Sequence, residues 1–221
     1  MNTLTSNVDE DVLLRVTEVA EAALLHEAMG RRGALSADIR PVDPDCTLVG
    51  RALTVRSRPG DNLMLHVAIS RAQPGDVLVV TVDGFVEAGG WGELATVAAQ
   101  LRGIKGLVID GAVRDVAAIR RLGFTVFSRG ISIKGTTKRE RGELNHPIII
   151  GGVQVNPGDI VVGDGDGVVI VPKDEIDSVL VKAHEIKRRE QHMLQELREG
   201  RLTLDILGLR PVMKELNLER G

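Results

Sequence analysis

Aromatic residues and cysteine are scarce in this chain of 221 residues, which has three Phe, one Trp, no Tyr and one Cys. So few aromatic rings argue against the stacking platforms with which proteins bind single-stranded nucleic acid. The single cysteine, Cys46, excludes an internal disulfide framework and suits a reducing compartment. We expect Cys46 to be a small buried apolar residue in a core built from Val, Ile, Leu and Ala.

The sequence also lacks a dominant charge and a long apolar run. It has 28 basic and 31 acidic residues, a formal net charge of -3, and no basic stripe of the kind that nucleic acid or an anionic membrane requires. No apolar run is long enough to cross a bilayer, and Asp9, Glu10 and Asp11 lie where a secretory signal would be positively charged. These features predict a cytoplasmic protein with no nucleic-acid or membrane partner.

The length and a hydrophobic content of 43% predict one domain over residues 1–221. Apolar residues at helical spacing predict an N-terminal helix over about residues 9–28, which ends near Gly30. The core is expected over about residues 45–172, followed by a C-terminal helical segment over about residues 173–221. No low-complexity tract suggests a boundary inside the chain.

The core shows two patterns of secondary structure in succession. Predicted strands and helices alternate from Leu48 to Phe127, with a glycine-containing loop over Asp83–Gly92. From Ile148 onward, short apolar segments are joined by tight turns. The sequence therefore predicts a mixed α/β domain with a partly antiparallel or barrel-like sheet.

The motif G-G-W-G-E-L-A, Gly89–Ala95, imitates part of a dinucleotide-binding fingerprint. In that fingerprint the glycines follow the strand at once, whereas here the six residues 83–88 intervene, so dinucleotide binding is not favoured. Glycines that open a helix can leave N–H groups free for a carboxylate or phosphate. A glycine turn that only allows close packing is the alternative.

Patterns typical of calcium and zinc sites are incomplete. The motif G-D-G-D-G, Gly163–Gly167, lacks the other ligands of a calcium loop and lies between two apolar runs, which favours a hairpin turn. None of the five histidines has the H-E-x-x-H or another zinc spacing. We therefore expect no histidine-rich metal site.

The segment V-I-D-G-A-V-R-D, Val108–Asp115, is an apolar run that ends in charged residues. Oxygen ligands without histidine or thiolate suit a hard cation such as Mg²⁺, and the planar fork of Arg114 suits a carboxylate or enolate oxygen. Alternatively, Asp115 caps the following helix and pairs with Arg114. The residues alone leave both interpretations open, and Asp110 is expected to support the turn.

Several motifs, in order, resemble the class II pyruvate aldolases, which include 4-hydroxy-4-methyl-2-oxoglutarate and 4-carboxy-4-hydroxy-2-oxoadipate aldolases; a relative is the regulator of ribonuclease E activity. The resemblance covers about residues 45–172. The motifs are G-D-N-L (Gly60–Leu63), P-G-D-V-L-V-V (Pro74–Val80), W-G-E-L-A (Trp91–Ala95), G-L-V-I-D-G-A-V-R-D (Gly106–Asp115), G-G-V-Q-V-N-P-G-D (Gly151–Asp159) and D-G-V-V-I-V-P (Asp166–Pro172). The resemblance implies a β/β/α swivelling fold of the phosphohistidine-domain type, assembled as trimers or hexamers with sites between subunits.

The resemblance also implies the residues of a site. Asp115 would bind Mg²⁺ or Mn²⁺, and Arg114 would bind the keto or enolate oxygen of a pyruvyl group. The substrate carboxylate would lie on the main chain of Gly92, Glu93, Leu94 and Ala95. Glu93 precedes Arg114 by twenty intervening positions and stands where the aldolases usually carry an aspartate.

A glutamate from the C-terminal helix of a neighbouring subunit is expected to approach the metal. Glu190 is the candidate, with Glu185 and Glu196 as alternatives. The implied activity is cleavage of a 4-hydroxy-2-oxo acid to pyruvate and a second 2-oxo acid, with decarboxylation of oxaloacetate as a side activity. The alternative function is that of a non-catalytic regulator of a ribonuclease or another partner.

Overall fold

One large mixed sheet and the helices around it form the structure, a computed structural model in which residues 11–218 are described. The helices are α1 (residues 11–17), α2 (Ala22–Ala28), α3 (Leu63–Arg71), α4 (Glu93–Leu101), α5 (Val116–Arg121), α6 (Ile176–Arg198), α7 (Thr203–Ile206) and α8 (Arg210–Glu215), with a 3-10 turn at Lys173–Glu175 before α6. The strands are β1 (Arg40–Pro41), β2 (Leu48–Arg56), β3 (Asp76–Thr81), β4 (Gly89–Trp91), β5 (Gly106–Val113), β6 (Thr125–Ile131), β7 (Glu143–Leu144), β8 (Ile148–Ile150), β9 (Val153–Val155), β10 (Ile160–Asp164) and β11 (Gly167–Val171).

The main sheet has the strand order β1-β6-β5-β3-β2-β10-β11, and β4 and β7 pair with β5 and β2. Its centre is parallel: β2 pairs with β3, β3 with β5, and β5 with β6. The pairs of β10 with β2 and β11, of β1 with β6 and of β7 with β2 are antiparallel. All eight residues of β5 are buried, because both faces of a central parallel strand are covered.

Alternate residues of the central strands belong to different cores. Leu78 and Val80 pack toward α3, α4 and α5, whereas Val77 and Val79 pack toward β8, β9, β10 and β11. A third core joins α1, α2 and α6 to the outer face of β10 and β11. This layering confirms the predicted mixed α/β fold with a partly antiparallel, barrel-like sheet and flanking helices.

The hairpin predicted at G-D-G-D-G is also observed. Strands β10 and β11 pair in antiparallel register from Ile160 with Val171 to Asp164 with Gly167. The Asp164 carboxylate accepts hydrogen bonds from the main chain of Asp166 at 3.0 Å and of Ala22 at 2.8 Å. The motif is therefore a turn that also caps a distant helix.

The hydrogen bond from the Ala22 N–H to Asp164 explains why the N-terminal segment is not the continuous helix that the sequence predicts. In place of one helix over residues 9–28, the described part has α1 and α2, separated by turn residues 18–21; residues 9 and 10 lie outside the described range. Helix α2 begins anew because Asp164 supplies an acceptor for the N–H of Ala22. The apolar spacing continues across the break, since Val16, Val19 and Leu24 are all buried in one core.

The predicted loop over Asp83–Gly92 is also wrong in part, because Gly89–Trp91 forms β4 beside the end of β5. Gly89 is required there, since a Cβ atom would lie 2.3 Å from the Ser132 carbonyl oxygen. The strand is too short and too rich in glycine to show a strand pattern in the sequence. It matters for function because it leads directly into α4.

Of the C-terminal helices, only the first part of α6 belongs to these cores. Buried residues of α6 are confined to Ile176, Val179, Leu180 and Ala183, and α7 and α8 bury none. Within residues 11–218, no helix is both long and apolar enough to cross a membrane.

Candidate active site

The charged residues Arg114 and Asp115 directly follow β5. At this edge of the sheet, the end of β5 is hydrogen-bonded to β4 on one side and to the chain after β6 on the other. The N–H of Arg114 donates to the Trp91 carbonyl of β4 at 2.8 Å, and the Val113 carbonyl accepts from Ser132 at 3.0 Å. The chain then turns at Asp115, whose φ of 55° and ψ of 35° lie in the left-handed region. A non-glycine residue held there costs on the order of 1 kcal/mol, and such residues are frequent at functional sites.

The side chain of Asp115 does not cap its own helix. Helix α5 has no side-chain cap, although the Asp115 carbonyl accepts from Ala118 and Ile119. The carboxylate instead accepts a hydrogen bond from the main-chain N–H of Glu93, at the start of α4, at 3.1 Å. The helix-cap interpretation is therefore wrong, and Arg114 pairs with Asp115 only loosely, with Nε 3.7 Å from Oδ2.

Gly92 makes this approach possible. A Cβ atom on Gly92 would lie 2.4 Å from Asp115 Oδ2 and 3.1 Å from Arg114 Cγ. The φ of Gly92 is -160°, which any residue can adopt, so space and not backbone conformation demands glycine. The glycine motif thus brings the positive end of the α4 dipole beside both predicted site residues.

Trp91 and Thr96 hold the start of α4 in place. The Trp91 Nε1–H donates to Thr96 Oγ1 at 2.8 Å, and the Thr96 hydroxyl donates to the Gly92 carbonyl at 3.0 Å. The Trp91 ring is buried and stacks on Phe124 with centroids 6.0 Å apart. Two of the few aromatic rings in the chain thus support the N-terminal end of α4.

Glu93 lies in an ion pair that crosses from α4 to α5. Its Oε1 is 3.3 Å from Nη2 of Arg121, and the side chains of Glu93 and Arg121 are 48% and 69% exposed. With Arg114 and Asp115, this pair forms a series of contacts in the order Arg114, Asp115, Glu93 and Arg121, in which the two acids lie between the two bases. Arg121 had no motif to mark it, because its partner lies 28 positions earlier in the chain.

The loop after β2 supports β4 from the other side. The buried side chain of Asn62 donates to the Gly90 carbonyl at 2.9 Å. Its neighbour Asp61 accepts from the Thr137 hydroxyl at 2.6 Å and from the N–H groups of Leu63, Arg139 and Glu140. Burial alone would raise the pKa of Asp61, but these hydrogen bonds outweigh it and lower the pKa to about 2.

The donor atoms at this edge fit a hard cation that keeps most of its waters. The Asp115 side chain is 43% exposed, and the Glu93 carboxylate begins the adjacent helix. Within the described part of the chain, no three His, Cys, Asp or Glu residues are grouped as metal ligands. One or two carboxylates with water suit Mg²⁺ or Mn²⁺, whereas a structural zinc site needs four protein ligands.

The three C-terminal glutamates lie on α6, whose buried residues pack with α1, α2, β10 and β11 and not with α4 or α5. Glu185 and Glu190 are exposed, and Glu196 is paired with Arg201. A role for Glu190 beside Asp115 would require a second copy of the chain and stays a prediction.

Cys46 and two of the histidines have other surroundings. Cys46 is half-buried against a core, and burial, together with nearby Asp43, raises the pKa of its thiol to about 11. The thiol is therefore protonated and unreactive at neutral pH. Ring nitrogens of His26 and His184 contact the carbonyl oxygens of Arg32 and Leu180.

The chain is similar to proteins of a known family. The RraA-like family, described as Aldolase/RraA, matches residues 16–170. A Halalkalibacterium halodurans protein named "Putative 4-hydroxy-4-methyl-2-oxoglutarate aldolase" is 36% identical over 182 residues, which cover 82% of this chain and 84% of that protein.

Two solved structures are also similar. An uncharacterised protein from Pseudomonas syringae pv. tomato has a TM-score of 0.82 and 28% identity, and the match covers 90% of this chain and 94% of that one. The RNA-processing inhibitor RraA from Thermus thermophilus has a TM-score of 0.64 and 26% identity, and the match covers 69% of this chain and 92% of that one. The family thus includes proteins named for an enzyme activity and for inhibition of RNA processing.

Proposed function

Since this chain belongs to the RraA-like family, Aldolase/RraA, we propose that it is a divalent-metal-dependent aldolase. Its substrate would be a 4-hydroxy-2-oxo acid of the 4-hydroxy-4-methyl-2-oxoglutarate or 4-carboxy-4-hydroxy-2-oxoadipate type. Cleavage would give pyruvate and a second 2-oxo acid. The observation that carries this proposal is the contact of the Asp115 carboxylate with the start of α4, beside Arg114.

The pyruvyl end of the substrate would lie on the start of α4. Leu94 and Ala95 belong to the first turn, whose N–H groups have no acceptor inside the helix and can bind the substrate carboxylate. The guanidinium of Arg114 would donate to the 2-oxo oxygen, on which negative charge develops as the bond beyond C3 breaks. Mg²⁺ or Mn²⁺ held by Asp115 would supply further stabilisation of that charge as a Lewis acid.

Glu93 would perform the proton transfers. Glu93 is the first residue of α4, the helix on which the substrate would lie. Its carboxylate can therefore accept the proton of the C4 hydroxyl and later return a proton to C3 of the pyruvate enolate. Glu190 from a second copy is proposed to assist from the opposite side. Decarboxylation of oxaloacetate needs the same enolate stabilisation and is the proposed side activity.

The C-terminal segment supports an assembly of several copies, and we propose a trimer or hexamer. From the end of α6 to residue 218, the chain exposes a series of large apolar side chains, which favours their burial against another subunit. These residues are Leu194, Leu197, Leu202, Leu207, Leu209, Val212, Leu216 and Leu218. Such packing would also carry Glu190 to a neighbouring site.

The decisive experiment measures release of pyruvate from 4-hydroxy-4-methyl-2-oxoglutarate and from oxaloacetate, with Mg²⁺ or Mn²⁺ and again with a chelator. We expect metal-dependent turnover, and a loss of roughly 10²–10³-fold in kcat for Arg114→Ala. Arg15→Ala is the matched control, because Arg15 forms an exposed ion pair with Asp177, between α1 and α6. Background rates from the unaltered protein would refute the enzyme, and full activity of Arg114→Ala would refute the site.

The likeness to RraA favours one second candidate, a regulator that acts by binding a ribonuclease. That function predicts a complex in a pull-down with ribonuclease E that survives a chelator. It also predicts no release of pyruvate from either substrate. Metal-dependent turnover together with no complex would exclude this candidate.

A further inference from the structure

A cavity of about 620 Å³ lies at the end of β2, where that strand pairs with β7. We propose that this cavity binds a small anion with two or more phosphate or carboxylate groups, such as a diphosphate or a tricarboxylate. None of the lining residues belongs to the proposed active site, and β3 separates β2 from β5 in the sheet. The lining residues are Arg56, Ser57, Arg58, Arg141, Gly142 and Glu143.

The charge of the lining is mainly positive, with three arginines and one acid, Glu143. Arg56 is paired with Asp83 at 3.4 Å, and both side chains are about half exposed. Within residues 11–218, the side chains of Arg58 and Arg141 have no hydrogen-bond or ion-pair partner. Like charges that share a cavity repel one another, and a bound anion would relieve that repulsion. The planar fork of a guanidinium suits pairs of phosphate or carboxylate oxygens.

The buried carboxylate of Asp61 holds the main chain on both sides of the cavity. It accepts hydrogen bonds from the N–H groups of Arg139 at 2.7 Å and Glu140 at 3.2 Å, directly before Arg141. The N–H of Asp61 donates to the Arg58 carbonyl at 3.0 Å. One residue therefore fixes both segments that carry the unpaired arginines, although both segments lie outside the helices and strands.

Gly142 brings the second of these segments directly against β2. A Cβ atom on Gly142 would lie 1.9 Å from the Arg56 carbonyl oxygen, so a larger residue would push the segments apart. The next residue, Glu143, pairs with Arg56 in the sheet. The buried hydroxyl of Ser57 donates to the Asp61 carbonyl at 2.9 Å. The cavity is thus shaped by main-chain packing and does not depend on the positions of mobile side chains.

The size and the lining of the cavity indicate the kind of anion. Its volume lies within the range of about 300–1,000 Å³ that is usual for small-molecule sites. Three guanidinium groups carry more N–H donors than one carboxylate has acceptor positions, which favours a ligand with several anionic groups. The lining residues include no aromatic ring on which a nucleobase could stack. We therefore expect an anion without a base.

The test measures binding of pyrophosphate and, separately, of citrate by isothermal titration calorimetry in metal-free buffer. We expect at least one of them to bind with a Kd below about 1 mM, and the arm that binds tells phosphate from carboxylate recognition. The double variant Arg58→Gln/Arg141→Gln should raise that Kd at least about tenfold, because charge-assisted hydrogen bonds are lost. No binding of either anion by the unaltered protein would overturn the inference.

Two controls separate this site from general charge and from the proposed active site. Arg15→Gln/Arg31→Gln removes the same charge from two exposed ion pairs and should leave Kd within about twofold. Arg114→Gln should also keep the binding. Equal loss in both double variants, or loss in Arg114→Gln with retention in Arg58→Gln/Arg141→Gln, would overturn the inference.

Arg58→Lys/Arg141→Lys keeps the charges and loses the planar forks, so it should weaken binding about three- to tenfold. Urea unfolding checks that each variant is folded. If the glutamine variant does not fold, the lysine variant decides, and wild-type affinity would then overturn the inference. Because the assay contains neither metal nor a 2-oxo acid substrate, its outcome is independent of the proposed function.

Discussion

Asp110 and Asp115 lie five positions apart, within β5 and directly after it, in opposite surroundings. Asp110 is buried, and its two oxygens accept from the Thr81 hydroxyl at 2.8 Å and from the Val82 N–H at 2.7 Å. Asp115 is half-exposed and has a left-handed backbone, and its carboxylate accepts a hydrogen bond from the N–H of Glu93.

The difference separates a structural carboxylate from one that can bind a ligand. The hydrogen bonds of Asp110 join β5 to the end of β3, and they compensate for its burial. The Asp115 carboxylate is partly exposed to solvent and lies beside Arg114. The same residue type thus stabilises the sheet at one position and is proposed to bind a ligand at the other.

The largest expected effect comes from Asp115→Asn. The substitution keeps the size of the side chain, and Asn tolerates the left-handed backbone, but the charge that would hold a divalent cation is lost. We expect kcat/KM for pyruvate release to fall about a thousandfold, because a catalytic metal contributes several kcal/mol. Urea unfolding should show a change below about 1 kcal/mol. Wild-type turnover by this variant would remove Asp115 from the site.

Gly92→Ala tests the space between the two helices. The new methyl group would displace the Asp115 carboxylate, and a misplacement of about 1 Å can lower the rate about a hundredfold. Gly90→Ala is the control, because its Cβ would meet only Leu65 Cδ2, at 3.9 Å. Steady-state kinetics of both variants should show the loss at position 92 alone. Equal rates for the two would mean that the contact between Asp115 and α4 is unimportant.

Asp110→Ala should give the opposite phenotype to substitution of Asp115. It leaves the Thr81 hydroxyl and the Val82 N–H buried without an acceptor, which costs about 1–3 kcal/mol. The free energy of unfolding in urea should fall by that amount, while the folded fraction keeps most of its turnover. A stable but inactive Asp110→Ala protein would contradict the division between the two aspartates.

Asp61 is a third aspartate held by hydrogen bonds, and its contribution to stability should depend on pH. Its pKa of about 2 in the folded protein lies below the value of about 3.9 expected in the unfolded chain. Its contribution to stability is therefore complete above about pH 5 and is lost as the pH falls toward 2; it amounts to at most about 2–3 kcal/mol. Unfolding measured from pH 5 to 2 should fall less steeply for Asp61→Asn. Equal slopes would show that Asp61 does not titrate in this range.

Local patterns in the sequence were sufficient for the fold class and for placing the candidate site residues at the end of a buried strand and the start of a helix. The alternation of strands and helices, followed by short strands with tight turns, predicted the mixed barrel-like sheet, because each pattern depends on residues adjacent in the chain. The apolar run that ends in Arg114 and Asp115 marked the end of a buried strand. The glycines before Glu93 marked a helix start suited to an anion, for the same local reason.

Contacts between distant residues could be decided only by the tertiary structure. Strand β4 exists because it lies beside β5, and α2 starts at Ala22 because Asp164 of a distant hairpin caps it. The carboxylate of Asp115 contacts α4 instead of its own helix, and Arg121 meets Glu93, because the sheet places α4 and α5 side by side. The sequence by itself determined which residues are charged at the end of a buried strand; packing decided which groups those charges face.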